Sequence, residues 1–186
     1  LGHKDFSAQI AQIATSNVDA VFTFMPGGMG VRFVKQFDAA GLSDKMKFLS
    51  AFTVDETTLP AQKDAAVGLF GAGTWAPDFD LDRSKAFVAN FEAKYGYVPG
   101  SYAMQAYDAA LLIDSAVSAV GGDVSDKAGL KAALKAAKFD SMRGTFKFNV
   151  NQYPIQDFYL LNIAKRPDGK YQTEIAQKIL TDSGDS

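Results

Sequence analysis

The sequence has no cysteine, one histidine and one tryptophan among its 186 residues. Without cysteine there is no disulfide framework and no thiolate metal site. The only histidine, His3, sits next to the start. A Ser-His-Asp or Cys-His arrangement would have to use it, and a loose chain end cannot orient a base. Charge bias is also missing: 19 basic against 21 acidic residues leave a net charge of −2. Such a balance gives no footprint for nucleic acid or for an anionic membrane surface. No apolar run approaches the roughly 20 residues of a membrane span. The opening "LGHKDFSAQI" lacks the basic start and apolar core of a signal peptide. It reads as a loop entering a helix, as though the chain began in mid-domain.

What is present is the composition of a globular domain, 47% hydrophobic and 22% charged. A chain of this size buries roughly 70% of its unfolded surface, enough for a real core. Phe6, Ile10 and Ile13 have helical spacing behind Asp5, a candidate N-cap. "DAVFTFM", 19 to 25, predicts a parallel strand buried on both faces. Residues 29 to 40 predict a helix with Val34 and Phe37 on one face and Gly41 just past its end. A second strand is expected at 47 to 52, a short helix at 55 to 64 and a third strand at 67 to 75. This β-α-β-α-β order predicts an α/β fold with a doubly wound parallel sheet.

The next region is helical. Phe87, Phe91 and Tyr95 fall four apart on one face, closed by Gly96. "SYAMQAYDAALLIDSAVSAV" predicts a long helix, apolar round much of its circumference and therefore largely buried, ended by Gly121 and Gly122. "DKAGLKAALKAAKF" predicts a third, with Leu130 and Leu134 inward. The tail returns to strands: "GTFKFNV", "QDFYLLNIAK" and "KYQTEIAQ". Pro167, Asp168 and Gly169 form a hairpin turn between the last two. The closing "TDSGDS" is expected to fray.

Few residues offer chemistry. "DFDLD", 78 to 82, alternates acids as a calcium loop does, but lacks the glycine and distal glutamate of an EF-hand. No metal, cofactor or catalytic group is called for. "MPGGMG", 25 to 30, lies between a strand and a helix. A helix N-terminus there presents unpaired N–H groups, and glycine allows close approach. Gly27, Gly28 and Gly30 give G-G-x-G, which is neither a dinucleotide fingerprint nor a P-loop. Two readings stand equal: a site for a small carboxylate, or only a tight turn. In a parallel sheet, Met25, Pro26, Phe52 and Trp75 would converge on the ligand edge, with hydroxyls from Thr53 and Thr74. That composition suits a small, largely apolar ligand; the competing reading is ordinary core.

Several phrases occur together and in order: "SAQIAQIATSNVDAVFTFMPGGMGVRFVKQFDAAGL", "AAVGLFGAGTWAPDF", "SKAFVANFEAKYGYVPGSYAMQAYDAALLIDSAV" and "MRGTFKFN". Together they resemble the type I periplasmic solute-binding proteins of ABC importers, in the branched-chain amino acid binding branch. The resemblance implies two Rossmann-like lobes joined by a three-stranded hinge, with solute trapped as they close. Residues 1 to 75 correspond to most of the second lobe, 76 to 145 to helices returning to the first, and 146 to 186 to the closing strands of the second. The chain then resembles a carboxyl-terminal half, whose partners are a small-molecule solute, the missing N-terminal half and a membrane permease. The implied location is the periplasm, or an extracellular lipid anchor, and the implied role is not enzymatic.

By the same resemblance Pro26 is a cleft residue, with Met25 beside it and Gly27 and Gly28 allowing backbone approach. Tyr102 is the aromatic opening the long helix. Amino-acid binders of the family place an acid where this chain has Phe52. The resemblance, with walls at Phe52, Tyr102 and Trp75, therefore implies an acid without an amine, of the benzoate or hydroxycinnamate type. Alternatives are a branched-chain amino acid or amide, a cytoplasmic sensor on the same fold, and, weakest, a flavodoxin-like enzyme. One lobe alone is expected to bind solute poorly, since closure supplies the second wall.

Overall fold

The computed structural model describes residues 5–184, so His3 lies outside the described residues. Helix α1 (Ser7–Thr15) follows Asp5, whose Oδ1 accepts from the Ser7 N–H at 2.9 Å. Strands β1 (Ala20–Thr23), β2 (Lys47–Ser50) and β3 (Phe70–Gly73) then lie side by side and parallel. They are connected by α2 (Gly28–Ala39) and by the short α3 (Leu59–Gln62), which runs into a 3-10 turn over Lys63–Ala66. This is the expected doubly wound order. Helix α2 buries Phe33, Val34 and Phe37 on one stripe, and Gly41 turns the chain out with φ 64°. Phe6 meets Phe33 edge-on at 5.3 Å and Phe37 meets Phe48 at 5.3 Å. Leu42, Leu59, Leu69 and Ile163 complete that core.

Two expectations about burial fail, each for want of a neighbour. Strand β1 is not covered on both faces: it is the sheet edge, and Phe22 and Phe24 are 69% and 61% exposed. Val21 and Thr23 point to the side that α2 covers, while the alternate residues face away from it. Helix α5 (Ser101–Ala119) buries only Met104, Asp108 and Ala116 and leaves Tyr102, Tyr107 and Ile113 exposed. Its inner side joins Trp75, Phe87 of α4 (Asp82–Tyr95) and Met142; α6 (Lys127–Ala136) covers another stretch. Leu130 and Leu134 of α6 are half-buried. Gly96 closes α4 at φ 79°, and Phe87, Phe91 and Tyr95 stand in the expected row.

The remaining strands are β4 (Lys147–Phe148), β5 (Pro154–Lys165) and β6 (Tyr171–Ser183). Strand β5 runs antiparallel to β3, β4 and β6, so the sheet is open and mixed. Its turn into β6 uses Gly169 at φ 83°, and the Arg166 N–H donates to the Lys170 carbonyl at 2.8 Å. The tail does not fray through Ser183: β6 continues there because Gln156 of β5 faces Ser183. Asp108 ties α5 to the returning chain. It accepts from Ser141 Oγ at 2.6 Å, the Met142 N–H at 2.7 Å and Arg143 Nε at 3.3 Å.

Candidate functional site

A cavity of about 300 Å³ lies where the loops after β2 and β3 meet the start of α5. Its rim is aromatic. Phe52 has φ 56°, a left-handed conformation that a bulky side chain adopts only under strain. That bend carries its ring over Tyr102, with centroids 6.1 Å apart and planes 24° from parallel. Phe24 stands edge-on to the other side of Phe52 at 5.9 Å. Three rings from three separate segments thus form one row. Such pairs contribute about 0.5–1.5 kcal/mol each beyond area burial. Val54, Ala72, Phe158 and Leu161 add apolar wall.

The polar groups of the cavity include Glu56, Thr74, Gln105 and Gln156. Glu56 is 7% exposed, and its Oε1 accepts from the Thr173 N–H at 2.8 Å and from Thr173 Oγ1 at 2.6 Å. Burial pushes its carboxyl above the ordinary range; the bonds from Thr173 pull the other way, and the charge of Asp55 adds to the rise.

The residues singled out from sequence separate into groups. Phe52 and Tyr102 come together on the cavity. Thr53 is fully buried beneath it: its hydroxyl accepts from the Met25 N–H at 2.9 Å and from Thr23 Oγ1 at 3.1 Å, locking two loops. Met25 packs against the first core, while Pro26, Gly27 and Gly28 are exposed beside it. Gly27 takes φ 67°, and a Cβ at Gly30 would lie 2.0 Å from the Met25 carbonyl oxygen. Gly27 and Gly30 are therefore needed to bring α2 against the end of β1, whereas a Cβ at Gly28 would meet nothing. Trp75 does not join the rim. It is fully buried, edge-on to Phe87 at 6.1 Å, with Nε1 donating to Ser84 Oγ at 2.8 Å. Of the acids in 78 to 82, Asp78 accepts from the Ile175 N–H at 3.1 Å and Asp80 pairs with Lys85.

Sequence reasoning missed Phe24 and Glu56. Phe24 was legible through alternation, because it shares a strand face with Phe22. Glu56 carries no local signal, since its burial depends on Thr173, 117 positions away.

Residues 1–170 match the periplasmic binding protein family. The chain belongs to that family. Among solved structures of binding proteins it is similar to an ABC-transporter solute-binding protein of R. palustris in complex with benzoate. The two are 34% identical with a TM-score of 0.82, over 97% of this chain and 49% of that one. An ABC transporter substrate-binding protein from Sphaerobacter thermophilus is 31% identical with a TM-score of 0.88, over 98% of this chain and 50% of that one. A curated relative, Leu/Ile/Val-binding protein homolog 1 of Brucella abortus, is 26% identical over 92% of this chain and 45% of its own length. The chain thus spans about half the length of the relatives it matches. Among the described residues no helix is long and apolar enough to cross a membrane.

Proposed function

We propose that this chain is part of the extracytoplasmic solute-binding component of an ABC importer, and that its solute is a small aromatic or apolar carboxylate of the benzoate or hydroxycinnamate type. The protein traps that solute without reacting with it and hands it to a membrane permease, in the periplasm. The observation that carries this reading is the stacked Phe52–Tyr102 pair on a cavity of about 300 Å³. A cavity of that volume falls at the small end of ligand sites, and an aromatic wall suits a single planar ring. The benzoate held by the R. palustris protein supports the same class. In this reading Phe52 and Tyr102 clasp the ring, Met25, Pro26, Gly27 and Gly28 form an outer lip, and Thr53 and Trp75 support the walls from behind. Residues 1 to 75 and 146 to 186 build one lobe, and 76 to 145 supply helices of the other.

Calorimetric titration of the intact protein with benzoate, 4-hydroxycinnamate and leucine tests it. Binding of the aromatic acids, weakened about tenfold or more in Phe52→Ala, is the expected result. A second reading, a branched-chain amino acid, has two cavity carboxyl groups in its favour, Asp55 and Glu56. Tight leucine binding with no heat from either aromatic acid would select it.

A further inference from the structure

We propose that Glu56 determines specificity within this cavity, donating an O–H from Oε2 to an oxygen of the solute. The inference rests on the solute-binding reading above and narrows its substrate class to aromatic acids with a second oxygen group, such as a ring hydroxyl.

The geometry supplies the reasons. Glu56 is 7% exposed and lines the cavity. Both donors of Thr173 end on Oε1, at 2.8 and 2.6 Å, which marks that atom as the carbonyl-like acceptor. Among the described residues Oε2 accepts no hydrogen bond from another residue. It stands against the start of α5, 3.3 Å from where a Cβ on Gly100 would be, so a larger residue there would crowd it. Among the described residues no cation is within ion-pair distance of Glu56. The charged groups around it are Asp55 on its own loop and, across a second cavity that Glu56 also borders, Lys63 and Lys170. Tyr97 and Tyr171 line that second cavity too, and Lys170 is held by Glu92 at 2.9 Å.

An ionised carboxylate without a counter-ion is costly in so dry a place, and taking up a proton removes the cost. The protonated acid is then a donor, so its match on the solute is an acceptor oxygen. An ammonium would need the ionised form. A solute lacking the oxygen leaves a buried O–H without a partner, and that mismatch is what discriminates.

The test is calorimetry on the intact protein with 4-hydroxybenzoate, benzoate and leucine, comparing wild type, Glu56→Gln and Glu56→Leu. Wild type is expected to prefer 4-hydroxybenzoate over benzoate by about tenfold. Glu56→Gln keeps a donor and an acceptor, so the preference should survive within about threefold. Glu56→Leu keeps the bulk and loses the donor, so the preference should vanish, through weaker hydroxybenzoate binding, tighter benzoate binding once no O–H is left unpaired, or both. Equal binding of both acids by wild type and Glu56→Leu overturns the inference and leaves the proposed function standing. Leucine binding that Glu56→Gln abolishes overturns it as well, because Glu56 would then be an ionised partner of an ammonium. If wild type binds no aromatic acid, the proposed function falls and takes the inference with it. Should Glu56→Leu fail to fold, infrared spectra decide: an un-ionised carboxyl band at neutral pH that Glu56→Gln removes supports the inference, and its absence from wild type overturns it.

Discussion

Two groups of aromatic rings organise this chain, and they are finished to different degrees. Around α2, the rings of Phe6, Phe33, Phe37 and Phe48 are each 5% exposed or less and touch one another edge-on or tilted. Around α4 and α5, Trp75 and Phe87 are buried, but the same contact chain continues outward from Phe87 to Tyr107 and through Phe91 to Tyr95 and Tyr97, which are 46%, 52% and 55% exposed. The first group has sheet on one side and helix on the other. The second has helices on one side and solvent on much of the other. More rings therefore do not mean more stabilisation, because the hydrophobic gain follows area removed from water.

The sharpest way to break that contrast is a matched pair of truncations. Phe37→Ala should cost about 3–5 kcal/mol, since a fully buried ring is lost and a cavity is left among its neighbours. Tyr107→Ala should cost less than about 1 kcal/mol. Urea unfolding of the two variants measures both, and equal losses would erase the distinction. A second pair asks whether the glycine loop belongs to the first core. Gly30→Ala should cost about 1–3 kcal/mol, because its Cβ collides with the Met25 carbonyl. Gly28→Ala meets no atom and should stay within about 0.5 kcal/mol.

A third prediction concerns pH at the seam between the groups, where Glu56 joins β6 to the start of α5. Its carboxyl is raised in the folded state, by burial first and then by Asp55. An acid raised in this way favours folding fully below its unfolded value, and that contribution is lost as pH rises through the folded value. Glu56→Gln removes the group that must ionise and keeps an acceptor for Thr173. Its stability relative to wild type should therefore climb as pH goes from acidic to mildly alkaline. A relative stability that falls over that range contradicts the assignment.

Much of the first group was legible in the sequence, and the reasons are local. Helices α2 and α4 announce themselves by periodic apolar residues and by Gly41 and Gly96 at their ends. The turn at Pro167, Asp168 and Gly169 is chemistry that few other segments carry. The errors concern cover rather than conformation. "DAVFTFM" does form a strand, but whether Phe22 and Phe24 are buried depends on what lies beside β1. The segment ending at Ser183 reads as a loose tail, yet it pairs with Gln156 across the hairpin. Trp75 was placed on the ligand edge by strand order, whereas the chain turns after Gly73 and sends the indole to Ser84. Of the candidate site, Phe52 was reached by strand order and Tyr102 by resemblance. The burial of Glu56 was hidden because a carboxylate on a loop is ordinarily solvated.

Under the proposed function, the left-handed backbone at Phe52 sets stability and binding against each other. Holding a bulky residue at φ 56° costs about 1–2 kcal/mol, an amount comparable to what its ring contacts with Phe24 and Tyr102 return. Phe52→Asn exchanges the one for the other, because asparagine tolerates that conformation. Its melting temperature should stay within a few degrees of wild type while the aromatic wall is gone. A selection that scores folding alone would accept this variant as silent, so under the proposed function Phe52 is a residue that drift could remove unless solute binding is selected as well.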